Sequence, residues 1–416
     1  MTRLLIWGVL GVVLASGIGF GAWLLSLPPA PAVAAPPAIG REEVSAMLEA
    51  LKPLRRERPL IAIVGANGAT HTETTDYVLP YGILRRADVA DVVALATGPG
   101  SVKLYPALQA EPDATLDQFD AQHPEGADYV IVPAMSRDDD PDVRDWLSSQ
   151  RAKGAMIISV CAGAKVAAAA GLLDGKRATT HWYYRRQLLG AHPTIRFVSD
   201  WRFVVDGKVA TTTGITASVP MMLTLIEAIG GRGRAETVAR DLGLAHWDAR
   251  HASAAFLFSR PFATTVLGNL LAVWNHERIA IRLSPGIDEV SLALVADAWS
   301  RTYRSRAETI ATDDSMVTTR SGLRIRPDRV VPGRPNARRI DIPAKPPARV
   351  LDESLIKIGD SYGTATAEIV AAQLEYPGGL AEWKAAVGAI VAPTERRDGP
   401  SPRQVTDANR RAGDPG

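Results

Sequence analysis

Ile158-Ser159-Val160-Cys161-Ala162-Gly163-Ala164 constrains the fold more than any other stretch, because it sets the only cysteine of 416 residues where two backbone habits meet. A β-rich run, Ala155 to Val160, stops at Cys161, and an alanine-rich helical run, Ala162 to Leu173, begins at the next residue. Strand, nucleophile and helix in immediate succession are the pattern of a nucleophile elbow, with small residues where the turn is tight. A thiol placed there meets the positive end of a helix dipole and free backbone N–H groups, which favours the thiolate. Ala178-Thr179-Thr180-His181-Trp182 then puts a histidine at the end of a second short β-like run. Cys161 and His181 form a dyad if the fold brings those strand ends together. The competing reading is a thiol that only fills the core.

The surrounding sequence alternates. Leu60 to Val64 is a continuous apolar strand, Thr74 to Arg86 a helix and Val89 to Ala96 a strand. Tyr129 to Pro133 is a strand and Asp142 to Arg151 a helix; the elbow follows, then strands Thr194 to Val205 and Lys208 to Thr213 and a helix Ala217 to Ile229. Apolar strands alternating with helices predict an α/β fold, a flavodoxin-like parallel sheet sandwiched by helices. Ligands of such sheets sit beyond the carboxyl ends of the strands, where Cys161 falls.

The length predicts two or three domains, and 46% hydrophobic residues suffice for their cores. A net charge of +2 with no large basic cluster argues against nucleic acid as a partner. Leu4 to Leu27 carries no charge and reaches the ~20 residues a bilayer span requires. Residues 1–27 are therefore expected to be a transmembrane anchor, with the bulk of a single-pass membrane protein in the periplasm. A secretory signal cleaved after Ala32-Val33-Ala34 is the alternative. Residues 28–57 read as a Pro/Ala linker and juxtamembrane helix, 58–231 as the elbow domain, 232–276 as a helical connection and 394–416 as a disordered tail.

Residues 277–393 repeat part of the first pattern. Ile279 to Leu283 echoes Ile61 to Val64, Gly322 to Asp328 echoes Leu108 to Asp113, and Ile340 to Pro343 echoes Val130 to Pro133. Gly363 to Thr366 and its helix match Gly214 to Ala217. The expectation is a degenerate partial copy of the fold that has lost its elbow. Gly359-Asp360-Ser361-Tyr362-Gly363 imitates a serine elbow after a short β run, but no suitably placed His or Asp follows, so it reads as a Gly-rich turn.

Ser159 to Ala164, Ala168 to Gly175, Arg177 to Trp182 and the closing Thr213 to Ser218 segment together resemble the ThiJ/PfpI superfamily, the class I glutamine amidotransferase-like fold. The similarity is greatest to the sensor domains of AraC-type regulators, although no helix-turn-helix pattern is found here. The resemblance implies Cys161 as nucleophile, His181 as general base or acid and the Ala162 N–H as an oxyanion donor. It implies a helix carboxylate against the thiol, which falls on Asp76, with Glu73 one turn earlier as the reserve. A second oxyanion donor would come from Pro133-Ala134-Met135, where the family usually has Pro-Gly-Gly. Ala134 and Met135 thus restrict that turn. Lys165, four residues after Cys161, is expected to snorkel outward. His246 and His251 lack Cys or carboxylate neighbours at ligand spacing, so neither a metal nor a cofactor is expected.

An enzyme of this type would be a cofactor-free hydratase, glyoxalase or hydrolase acting on a small electrophilic carbon. The rival reading is a sensor that binds a small molecule or records oxidation of Cys161 without turnover. A homodimer is the assembly common among relatives.

Overall fold

The computed structural model describes residues 2–31, 35–331 and 338–388. Strands β1 (Leu60–Gly65), β2 (Asp91–Ala96), β3 (Ala114–Thr115), β4 (Tyr129–Val132), β5 (Met156–Ser159), β6 (Phe203–Asp206) and β7 (Val209–Thr212) form a seven-stranded sheet ordered β6-β7-β5-β4-β1-β2-β3. Every neighbouring pair is parallel except the β6–β7 hairpin. β1, β4, β5 and β7 are buried at every position, as expected of strands covered on both faces. The two-residue period of β1 divides the core: Ile61 and Ile63 join one apolar cluster, and Leu60, Ala62 and Val64 the other.

Ahead of the sheet lie α1 (Thr2–Ser26) and α2 (Arg41–Ala50). The Ile61 face is covered by α3 (Thr74–Ala87), whose N-cap is Glu73. The Ala62 face is covered by α4 (Leu116–Gln122), α5 (Pro141–Ala152), α6 (Gly163–Ala169) and α7 (Arg185–Ala191). A Thr115–Gln118 capping box starts α4, and Asp140 with Pro141 starts α5, each fixing a helix to the strand before it. The chain returns to the first face with α8 (Ser218–Gly230) and α9 (Arg232–Leu242).

After α10 (Arg260–Leu271) a second sheet is built from β8 (Glu277–Arg282), β9 (Ser305–Ala311), β10 (Arg329–Val330) and β11 (Arg338–Ile340). Its order is β10-β9-β8-β11, parallel throughout, with α11 (Glu289–Ser300) between β8 and β9. Helices α12 (Pro347–Tyr362) and α13 (Thr364–Leu374) follow. The two halves share a core, α11 lying against α3. A Cβ at Gly82 would stand 2.5 Å from Glu289 Oε1 and 2.8 Å from Val290 Cγ2, so only glycine lets these helices approach so closely. A strand of each half also pairs across the junction, Arg324 opposite Glu111 and Ile325 opposite Ala110.

Among the described residues no helix is long and apolar enough to cross a membrane, which overturns the expected single-pass anchor over 1–27 and the periplasmic placement that went with it. The end of α1 is docked on the folded chain instead. Arg260 donates to the carbonyls of Leu24, Leu25 and Leu27 at 3.1, 2.7 and 3.2 Å, and Trp23 meets Phe258.

Two local expectations also change. The strand predicted over Thr194 to Val205 is broken, because Asp200 takes a left-handed φ of 62° and binds Ser253. Gly359 to Tyr362 closes α12 rather than following a β run, and Gly363 ends that helix. The residues 32–34 of the proposed cleavage site and the expected tail at 394–416 lie outside the described residues.

Candidate active site

Cys161 has φ 56°, a left-handed conformation that a residue with a Cβ adopts only when its surroundings enforce it. Its N–H donates to Thr212 Oγ1 at 3.0 Å, and its carbonyl accepts from Thr180 Oγ1 at 3.1 Å. The turn closes because position 163 is glycine: a Cβ there would lie 2.0 Å from Val132 O on the adjacent strand. The strand–nucleophile–helix geometry read from the sequence is therefore present. The thiol is nevertheless only 4% exposed. Burial pushes it well above the ordinary thiol range, the charges of Asp76, Glu73 and Glu375 add to this, and the Ala162 N–H opposes it. The expected thiolate bias is reversed, because α6 is a short helix and desolvation outweighs its dipole.

Asp76, in the first turn of α3, is fully buried. Its Oδ2 accepts from the Ala134 N–H at 3.1 Å, and its Oδ1 has no hydrogen-bond partner among the described residues. Burial, then the charge of Glu73, raises this carboxyl well above the usual range. Ala134 and Met135 are tied to the same corner: Glu73 N–H donates to Ala134 O at 2.8 Å, and Met135 bridges to Thr72. The Ala134 N–H thus serves Asp76 in this arrangement. Glu73 is the anchor of the group. Its Oε2 accepts from Thr75 Oγ1 at 2.8 Å and Asp76 N–H at 2.6 Å, and its Oε1 accepts from Arg301 Nη2 at 2.6 Å.

His181 follows Thr180 and is also buried. Nε2 lies 2.9 Å from Gln373 O, and Nδ1 accepts the Tyr183 N–H at 3.2 Å, so the ring is the Nε2–H tautomer with both nitrogens engaged. Burial lowers its proton affinity, keeping it neutral. Beside it, Glu375 reaches over from the C-terminal half. Its Oε1 accepts the Trp182 N–H at 2.9 Å, while His251 Nε2 stands 3.1 Å from Oε2, an ion-pair approach rather than an aligned hydrogen bond. Although burial opposes it, the contact with His251, the neighbouring His181 imidazole and the Gly214 N–H draw the Glu375 carboxyl down to about 2.

Arg301, Gln373, Glu375 and His251 are site neighbours that sequence reasoning missed as such. Arg301 also binds Asp297 Oδ1 at 2.7 Å, and burial brings the Asp297 carboxyl up to about 7. Lys165 pairs with Asp138 at 2.9 Å and lies 5.2 Å from the Tyr184 ring centre, largely buried rather than turned out to solvent. Among the described residues no group of His, Cys, Asp and Glu side chains is arranged to hold a metal ion.

Residues 61–228 match the DJ-1/PfpI family. An isonitrile hydratase of Pseudomonas putida is 39% identical over 154 residues, 36% of this chain and 62% of the hydratase. The Parkinson disease protein 7 homolog of Danio rerio is 30% identical over 175 residues, 41% of this chain and 88% of that protein. An HTH-type transcriptional regulator of Pseudomonas aeruginosa is 26% identical over 183 residues, 44% of this chain and 47% of the regulator. The chain thus spans less than two thirds of the hydratase and about half of the regulator.

Proposed function

Because this chain belongs to the DJ-1/PfpI family, we propose that it adds water to a small electrophilic carbon through Cys161, with an isonitrile as the substrate class. The observation that carries this reading is the buried Asp76 carboxyl, fixed by the Ala134 N–H through one oxygen and unpartnered at the other among the described residues, with its proton affinity raised by burial. A neutral acid beside a thiol can supply the proton that an isonitrile carbon must gain. Cys161 Sγ bonds to the terminal carbon while Asp76 delivers its proton to that carbon and takes the proton of the thiol, leaving a thioimidate. Water then adds to the same carbon, the nitrogen gains a proton, the C–S bond breaks and the sulfur is reprotonated. The product is an N-substituted formamide, and no cofactor is consumed. The Ala162 N–H is a backbone donor that favours the charged sulfur. A proton-transfer role for His181 requires release of Gln373 O or of the Tyr183 N–H. Formamide production from a small alkyl isonitrile by the wild-type chain, lost in Cys161→Ser, tests the reading.

A sensor that binds without turnover is the second reading, favoured by a thiol that is 4% exposed and held in its neutral form. Saturable binding of the isonitrile with no formamide would select it.

Residues 277–393 fit a degenerate partial copy of residues 58–231. In support, β10-β9-β8-β11 has the strand order and parallel sense of β3-β2-β1-β4, and α11 occupies the place of α3.

A further inference from the structure

Arg86 and Arg301 stand at the ends of α3 and α11, at the same distance along the chain from the acids that cap those helices, Glu73 and Asp288. Each arginine crosses to the other helix. Arg301 Nη2 meets Glu73 Oε1 at 2.6 Å, and Arg86 Nη2 meets Asp288 Oδ2 at 2.7 Å. The exchange has the reciprocity of an isologous contact, here within one chain. Its two ends differ in what lies behind them. Behind Asp288 are the buried Glu289 and the more exposed Asp241 and Arg320, an ion-pair network that runs out to the surface. Behind Glu73 are Asp76 and then Cys161.

We infer that Arg301 is a positioning residue for the thiol site: by binding Glu73 it fixes the negative charge of the carboxyl pair on Glu73 and leaves the proton on Asp76. The inference rests on reading Cys161 and Asp76 as the site. The geometry makes the assignment specific. Glu73 has every oxygen engaged by a cation, a hydroxyl or an N–H, as an ionised carboxylate requires, whereas Asp76 has one oxygen with no partner. Arg301 is itself held between Glu73 and Asp297, and its carbonyl accepts from Gln373 Nε2 at 3.0 Å. The C-terminal half thereby completes a site whose nucleophile belongs to the N-terminal half. The other groups facing the thiol are Glu375 from the end of α13, Tyr184 after the Thr-Thr-His run, and the neutral His181.

The test uses the full chain, in which the one cysteine makes the thiolate signal unambiguous. Iodoacetamide alkylation rates and thiolate ultraviolet absorbance are measured against pH, with no substrate present. Arg301→Met removes a neighbouring positive charge and should slow alkylation about tenfold at a given pH, a shift of about one pH unit upward. Glu73→Gln removes the facing negative charge and should shift the profile downward. Arg301→Lys keeps the charge and should restore most of the wild-type rate. Arg86→Met breaks the matching pair away from the thiol and should lower stability without moving the profile. An unmoved profile in both Arg301→Met and Glu73→Gln overturns the inference, and so does an equal shift in Arg86→Met. If Arg301→Met does not fold, the Glu73→Gln shift and the Arg301→Lys rate decide alone. Because the readout needs no turnover, a failure to hydrate isonitriles leaves this result standing, and a failure here leaves the hydration assay standing.

Discussion

The Ala134 N–H points at Asp76, 3.1 Å from its Oδ2, in the turn where a second oxyanion donor was expected. That hydrogen bond engages the Ala134 N–H with the acid at the start of α3.

Asp76→Asn keeps an acceptor for the Ala134 N–H and removes the transferable proton. Hydration should fall by at least about a hundredfold, the usual contribution of a positioned acid. Stability should move the other way. A carboxyl whose folded-state proton affinity is raised stabilises the fold below its unfolded value and loses that contribution as pH rises through its folded value. The variant should therefore melt higher than wild type at alkaline pH, and the gain should shrink toward pH 4. Thermal melts across that range check it.

Glu375→Gln concerns the opposite case. The Glu375 carboxyl is drawn from 4.5 to about 2, so its ionised form stabilises the fold above about 4.5 and the contribution is lost as pH falls through about 2. At neutral pH the glutamine still accepts the Trp182 N–H but loses the charge facing His251. A cost of roughly 3 kcal/mol is expected in urea titrations, closing toward pH 2.

Gly163→Ala places a Cβ 2.0 Å from Val132 O, backbone against backbone. Neither atom can rotate away, so the elbow must open. A loss of roughly 3 kcal/mol and a change in the alkylation rate of Cys161 are expected.

A chain ending near Gly231 uncovers the α3 face around Gly82 that α11 buries and deletes Arg301 from Glu73. It should lose soluble yield and melt roughly 5–10 °C lower than the full chain, or dimerise through that face. A monomer of unchanged heat stability would show that the halves are independent.

The elbow was legible because its signals are local. A β-rich run, a cysteine and a small-residue helix start are adjacent in sequence, and Cys161 does sit at a strand end in a strained turn. The parallel sheet covered by helices followed from strand and helix alternation for the same reason. The state of the thiol was not legible, since it depends on Glu73 and Asp76 at the start of α3 and Glu375 at the end of α13 converging on it. Arg301 is 228 residues from Glu73 and no periodicity reports such a contact. His251 had no carboxylate at ligand spacing, yet the fold brings Glu375 to it. The uncharged run from Leu4 to Leu27 satisfied a length rule for a membrane span, a rule blind to Arg260 docking on the end of that helix.

The central claim is that Cys161 takes an isonitrile carbon while Asp76 supplies the proton. Intact-protein mass measured after acid quench of the wild-type chain with a small alkyl isonitrile tests it most directly. The account predicts one substrate mass on the single cysteine during turnover, released as formamide, with neither adduct nor formamide in Cys161→Ser and a strongly reduced adduct rate in Asp76→Asn. Formamide formed undiminished by Cys161→Ser, or a wild-type chain that binds the isonitrile reversibly with no adduct and no product, would contradict it.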